Sequence, residues 1–215
     1  MTDDQTMLFR PFGPTIFKVV IPEKIVEELN NYVEKIILDK EKSKKLDHGH
    51  RLAGQVTQEF ALEKDFMIKI GWGKFLAEST KKWIDLHTQR KKQVTKFNIL
   101  NSWIVRQYKN EYNPTHWHGG HVSGAGFLKV PKDLGIPIQK NKENNEMGKL
   151  QFVHGSRMFL CSSTFKVTPK VGDFYFFPHY LMHQVWPFIN TDEERRSISF
   201  NAEIDENIYN VYGKK

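Results

Sequence analysis

Apolar positions along the chain follow two regimes. They recur at helical spacing in the N-terminal part and form short strand-like runs from about residue 98 onward. The stretch Thr15-Ile16-Phe17-Lys18-Val19-Val20-Ile21 is β-branched and aromatic and predicts a strand. Pro22 follows, a residue suited to the first turn of a helix. Ile25, Val26, Leu29, Val33, Ile36 and Ile37 mark one face of that helix, and charged residues fill the other. The charge runs on into Glu41-Lys42-Ser43-Lys44-Lys45, which reads as an exposed loop. Residues 46–62, with His48, Gly49, His50 and Gly54, predict irregular or weakly extended chain. Residues 74–92 predict a second helix, with Phe75, Leu76, Trp83, Ile84 and His87 near one face.

The later part of the chain predicts strands at 99–108, 124–130, 150–153, 163–167, 174–177, 183–186 and 195–203. Turn signals separate them: Asn113-Pro114, Pro131, Gly148, Pro169, Gly172-Asp173, Pro178 and Pro187. Short strands in series imply an antiparallel sandwich or barrel. Residues 132–148 are polar and read as a mobile loop between strands. The expected class is α+β and mainly β. A helical support region over 1–97 should cover one face of a β core over 98–215, within one domain.

Composition narrows the chemistry. A length of 215 residues suits one domain with a sizeable core. A single cysteine, Cys161, excludes an internal disulfide framework and any Cys-rich zinc or iron–sulfur site. Any metal must therefore rest on nitrogen and oxygen ligands. The start, Met1-Thr2-Asp3-Asp4-Gln5, has no basic and apolar leader, and no run approaches the ~20 apolar residues of a membrane helix. The expectation is a protein of the reducing cytoplasm with no membrane partner. The net charge of +7 invites a nucleic-acid reading. Much of it sits in two runs, Lys40 to Lys45 and Lys81 to Lys96, and such runs usually mark solvated helix faces. The histidines carry more information. Five of the nine, His116, His118, His121, His179 and His183, fall in two short segments.

In Asn113-Pro114-Thr115-His116-Trp117-His118, an extended strand would point His116 and His118 the same way and Trp117 the other. A turn after Gly172-Asp173-Phe174-Tyr175-Phe176-Phe177-Pro178 would return His183 to the same mouth. Three neutral imidazoles suit Fe, Zn, Cu or Ni and leave positions open, as a catalytic site requires. A second pattern follows in Arg195-Arg196-Ser197-Ile198-Ser199-Phe200-Asn201. In a strand, Arg195, Ser197, Ser199 and Asn201 share one face. A guanidinium beside a hydroxyl suits a carboxylate, which Arg binds bidentately. Inside a barrel, that Arg would otherwise be a costly unpaired charge.

These segments, in order, resemble the 2-oxoglutarate/Fe(II)-dependent oxygenase superfamily. They are Asn113-x-x-His116-x-His118, Ser123-Gly124, Gly172-Asp173, Phe177-Pro178, His183-x-Val185 and Arg195-x-Ser197-Ile198-Ser199-Phe200-Asn201. The likeness is closest to the group known from bacteria and marine phages, spans roughly residues 100–203, and is specific because six motifs occur in order. It implies a double-stranded β-helix, that is, a jelly roll or cupin-like fold with N-terminal support helices and iron at its open end. The location it implies is the host cytoplasm if the chain is phage-encoded. The superfamily usually binds Fe(II) through two His and one carboxylate. His118 stands at the carboxylate position here, which implies an all-imidazole set of His116, His118 and His183, with His121 as the rival second ligand. 2-Oxoglutarate would offset the extra positive charge by chelating through its 2-oxo and C1 carboxylate oxygens.

The resemblance also places the C5 carboxylate of 2-oxoglutarate on Arg195, assisted by Ser197, with Arg196 as the register alternative. Asn201 shares the Arg195 face. Tyr108 and Arg106 are candidates to line the cosubstrate pocket, and Asn113 to orient a ligand or a water. Trp103, Trp117, Phe127, Tyr175, Phe177 and Trp186 are candidates for a dry wall. The implied activity is a dioxygenase using Fe(II), 2-oxoglutarate and O2 to hydroxylate a prime substrate, releasing succinate and CO2. The alternatives are a cupin-like dioxygenase without 2-oxoglutarate and a non-catalytic basic binding module. The prime substrate stays open between protein, nucleic acid and small molecule, and the assembly between monomer and homodimer. Substrate selection is expected from residues 46–62 and 132–148.

Overall fold

The computed structural model describes residues 7–9, 13–89, 93–139 and 141–210. Eleven strands among them form two antiparallel sheets. The larger sheet contains β1 (Met7–Phe9), β2 (Ile16–Val20), β3 (Gln58–Ala61), β4 (Phe97–Gln107), β6 (Val122–Lys129), β9 (Asp173–Pro178) and β11 (Arg195–Ile204). Its order is β1-β2-β9-β6-β11-β4-β3. The smaller sheet contains β5 (Asn113–His116), β7 (Leu150–Val153), β8 (Thr164–Val167) and β10 (Met182–Val185), in the order β5-β10-β7-β8. This is the double-stranded β-helix architecture, with the N-terminal region contributing three strands to the large sheet.

Strand chemistry explains the layering. In β9, Phe174 and Phe176 join the core shared with the helices, while Tyr175 and Phe177 join the core between the sheets. Apolar on both faces, this strand is central and shows no polar alternation. β11 alternates differently. Ile198, Phe200 and Ala202 pack in the helix-side core, and Arg195, Ser197, Ser199 and Asn201 take the inner face. The helix-side core is closed by α1 (Glu23–Leu38) and α4 (Trp72–His87), which bury Leu29, Val33 and Ile36 and Trp72, Leu76 and Trp83 respectively. The helices therefore cover one face of the large sheet, leaving its inner face to the small sheet.

Some local expectations are corrected. Lys40–Leu46 is a helix, α2, rather than a loop, because the Asp39 side chain accepts from the Lys42 amide and Leu46 is buried. Residues 46–62 hold a full edge strand, β3, paired with β4 from Gln58↔Arg106 to Ala61↔Trp103. A short helix, α3 (Lys64–Lys69), precedes α4, and a final one, α5 (Glu206–Tyr209), follows β11. α4 ends at His87, and the expected extension through Arg90, Lys91 and Lys92 lies outside the described residues, as do Met1 to Gln5. The described part of 132–148 forms no helix or strand. Among the described residues, no helix is long and apolar enough to cross a membrane.

Candidate metal centre

Three imidazoles meet between the sheets. His116 ends β5 and lies directly opposite His183 of β10. His118 does not share a strand with His116 as expected, since β5 stops at His116. Two backbone bonds hold the segment beyond: the His118 amide donates to the His179 carbonyl (3.0 Å) and the His179 amide to the His121 carbonyl (3.2 Å). The turn still leaves the His116 and His118 rings 5.0 Å apart, and those of His116 and His183 4.3 Å apart. One nitrogen from each of the three lies within 4.8 Å of the others.

The ring nitrogens are oriented from behind. His116 Nδ1 is 2.7 Å from the Pro114 carbonyl and His183 Nδ1 is 2.9 Å from the Leu181 carbonyl. Each Nδ1–H therefore donates outward, leaving Nε2 with its lone pair facing the cluster. His118 Nε2 is 2.9 Å from His183 Nε2, close to the ~3 Å expected for two nitrogens at right angles on one ion with metal–nitrogen bonds of ~2.1 Å. Burial lowers the pKa of all three rings. His118 falls to about 3, with His116 and then His179 adding to the shift. The rings are neutral at pH 7, the form that ligates metal. The residues present fit a divalent transition metal held by three nitrogens.

A cavity of about 240 Å³ joins this cluster to Arg195. Arg195 is 1% exposed, and its Nη1 donates to Gln107 Oε1 at 2.9 Å and Ser197 Oγ at 3.5 Å. Its guanidinium carbon lies 5.1 Å from the Phe127 ring centre. Burial lowers its pKa to about 10, so it is a cation at pH 7. Its Nε has no hydrogen-bond partner, and no carboxylate pairs with it among the described residues. A buried cation with a spare donor beside three metal-facing nitrogens is arranged for an anionic ligand.

A family profile described as "Putative 2OG-Fe(II) oxygenase" matches residues 101–201. Over this segment, just under half of the chain, the sequence is similar to 2OG-Fe(II) oxygenases. Solved structures share the fold. AviO1 from Streptomyces viridochromogenes Tue57 is similar at 14% identity and a TM-score of 0.57, over 88% of this chain and 90% of that one. A Pseudomonas putida prolyl-4-hydroxylase is similar at 13% identity and 0.54, over 86% and 91%. HygX from Streptomyces hygroscopicus, solved with nickel and 2-oxoglutarate bound, is similar at 12% identity and 0.54, over 86% and 80%. No protein of curated function matches the sequence.

Within the matched segment, the remaining candidates separate. Arg196 faces the helices, where it bonds Glu194, Glu34 and Asn30. Arg106 lies opposite it and donates to Glu194, Gln58 and the Tyr108 hydroxyl. Arg196, Arg106 and Tyr108 thus form an ionic cluster on the outer face and do not line the cavity. The two-residue period of the strand is the reason: Arg195 and Gln107 point in, Arg196 and Arg106 out. His121 is also outside the cluster. It stacks on Tyr209 at 4.0 Å, its Nδ1 takes the Ile204 amide at 3.1 Å, and its Nε2 is 3.4 Å from Glu206. Asn201 accepts from Ser123 at 2.8 Å and likewise does not line the cavity. Ser197 and Asn113 do line it. Of the aromatic candidates, Trp103, Trp117 and Phe127 line it and Tyr175, Phe177 and Trp186 do not. Asp173, the carboxylate of the Gly172-Asp173 motif, is engaged with Lys18 at 2.8 Å.

Gln107, which holds Arg195, and Glu59, which lines the cavity, were not singled out from the sequence. Gln107 is the inward partner of Arg195, recoverable from its place at the end of a predicted strand. Glu59 had no local signal, because β3 is a four-residue strand with no flanking pattern to give its register.

Proposed function

We propose that this protein is an Fe(II)- and 2-oxoglutarate-dependent dioxygenase that hydroxylates a prime substrate with release of succinate and CO2. The observation that carries the reading is the joining of the His116, His118 and His183 nitrogens to buried, carboxylate-free Arg195 in one cavity. HygX, similar in fold, is described with nickel and 2-oxoglutarate bound, which agrees with it.

His116, His118 and His183 would hold the iron. When bound, it would supply the oxygen chemistry that breaks a C–H bond. Pro114 and Leu181 carbonyls keep two of the ligand rings turned toward the metal position. Arg195 and Ser197 would take the C5 carboxylate of 2-oxoglutarate, and Gln107 holds the guanidinium in place for it. Trp103 and Phe127 exclude water from the same space. Among the described residues no carboxylate stands in the metal cluster, so the charge of a divalent ion there would be balanced by the cosubstrate.

The test is succinate formation from 2-oxoglutarate by the iron-loaded protein. His183→Ala and Arg195→Ala should each reduce it by at least ~100-fold, and unchanged turnover in either sinks that assignment. The all-imidazole ligand set favours one second reading, a dioxygenase that needs no 2-oxoglutarate. Oxygen uptake at full rate without the cosubstrate would establish it.

A further inference from the structure

The cavity has a second polar end. Glu59 lines it but is not among the clustered metal-facing groups. Its place is set by register. Glu59 pairs with Val105, Val105 with Ser197, and Ser197 with Phe127, so all four side chains share the inner face in one row across β3, β4, β11 and β6. Two inter-strand steps put the Glu59 backbone about 10 Å from that of Ser197. Glu59 therefore stands on the same floor as the Arg195–Ser197 pair, on the outermost strand of the sheet.

Glu59 is 2% exposed and its Oε2 has no hydrogen-bond partner. No cation pairs with it among the described residues. The nearby charge is the wrong sign: Asp47, whose Oδ1 takes the Glu59 backbone amide at 3.4 Å. Arg51 also lines the cavity, but its Nε is directed to His50 at 3.2 Å. A second acceptor is close. A methyl built on Gly54 would lie 3.0 Å from Asn113 Oδ1 and 3.1 Å from each Glu59 carboxyl oxygen. Asn113 Oδ1 and both Glu59 carboxyl oxygens thus lie close together against the Gly54 backbone. Burial, with Asp47 adding, pushes the Glu59 carboxyl up to about 7, which is the signature of a buried acid lacking a positive partner. An unmet buried carboxyl costs stability, and a donor-rich cation would recover that cost.

We propose that Glu59 and Asn113 form the subsite for a cationic nitrogen, an ammonium or guanidinium, carried by the prime substrate. The inference rests on the oxygenase reading, and it narrows the substrate to molecules with such a group. The cation would be anchored at the β3 edge, at the other end of the cavity from the Arg195 carboxylate site. The two ends have opposite charge, so substrate and cosubstrate are sorted by sign.

The test uses the full chain and defined probes. Nα-acetyl-lysine and Nα-acetyl-arginine methylamides are titrated calorimetrically against their neutral norleucine and citrulline counterparts, with and without Co(II) and 2-oxoglutarate. The expected result is that at least one cationic probe binds about ten-fold or more tightly than its neutral partner. Glu59→Gln should cut that preference to under about two-fold while keeping a cooperative melting transition. Gly54→Ala, whose methyl would crowd all three oxygens and displace them, should weaken the cationic probe in the same way. No preference for the cations, or a preference that survives Glu59→Gln, overturns the proposal. Failure of Co(II) and 2-oxoglutarate to bind the wild-type chain would instead count against the oxygenase reading, and is read in a separate titration.

Discussion

At the residue scale, two adjacent arginines have opposite roles. Arg195 is a buried cation whose charge no carboxylate meets among the described residues, so removing it should cost little stability. Arg195→Ala is expected to weaken 2-oxoglutarate binding by about 10- to 100-fold, measured calorimetrically on the metal-loaded protein. Arg196 is the reverse case. It is fully buried with Glu194 at 2.8 Å and reaches Glu34 at 2.8 Å. Arg196→Met breaks a buried ionic cluster and should cost roughly 3 kcal/mol or more in urea unfolding. Glu59 makes a third prediction at this scale. Its pKa is about 7 in the fold against 4.5 ordinarily. Between those values the folded state holds the extra proton, so the wild type loses stability as pH rises through that window. Glu59→Gln removes this loss. The metal-free variant should be more stable than wild type at pH 8, by on the order of 1–3 kcal/mol, and show little such gain at pH 4. Equal pH profiles would mean the carboxyl is solvated.

At the element scale, β6 shows how closely the helix-side layer approaches the sheet. A methyl on Gly126 would lie 2.3 Å from the Phe174 ring and 2.7 Å from the Asp173 carbonyl, and one on Gly124 would lie 2.5 Å from Phe174 and 2.6 Å from Phe200. The constraint is space under the aromatic layer. Gly126→Ala is expected to lower stability by about 1–3 kcal/mol in thermal or urea unfolding, because backbone as well as ring must move. Elements also explain which sequence expectations failed. α1 and α4 were legible because their apolar stripes run over four turns. α2 was not: it buries only Leu46, and its lysines read as loop until the Asp39 cap is seen. β3 was missed because four residues carry too little alternation, and pairing with β4 decides that it is a strand.

At the scale of the whole molecule, the pairing of β5 with β10 in the small sheet brings together ligands that are far apart in sequence, so metal binding should be coupled to folding. Excess Co(II) or Fe(II), at ~100 times its Kd, should stabilise the native state by about 2.7 kcal/mol, and His183→Ala should abolish the gain in a melting experiment. An equal shift in that variant would place the metal elsewhere. Much of the site's vocabulary was readable in the chain: the His-x-His pair, the later His183, the Arg-x-Ser pattern, and the strands that carry them. These follow from local chemistry, since side-chain period and turn residues are properties of short segments. What the chain could not decide was register and convergence. The choice of Arg195 over Arg196, the removal of His121 and Tyr108 from the cavity, and the arrival of Glu59 at its edge all depend on which strand lies beside which. A shift of one residue exchanges the two faces of a strand, and only the pairing of β11 with β4 and β6, and of β3 with β4, selects between them.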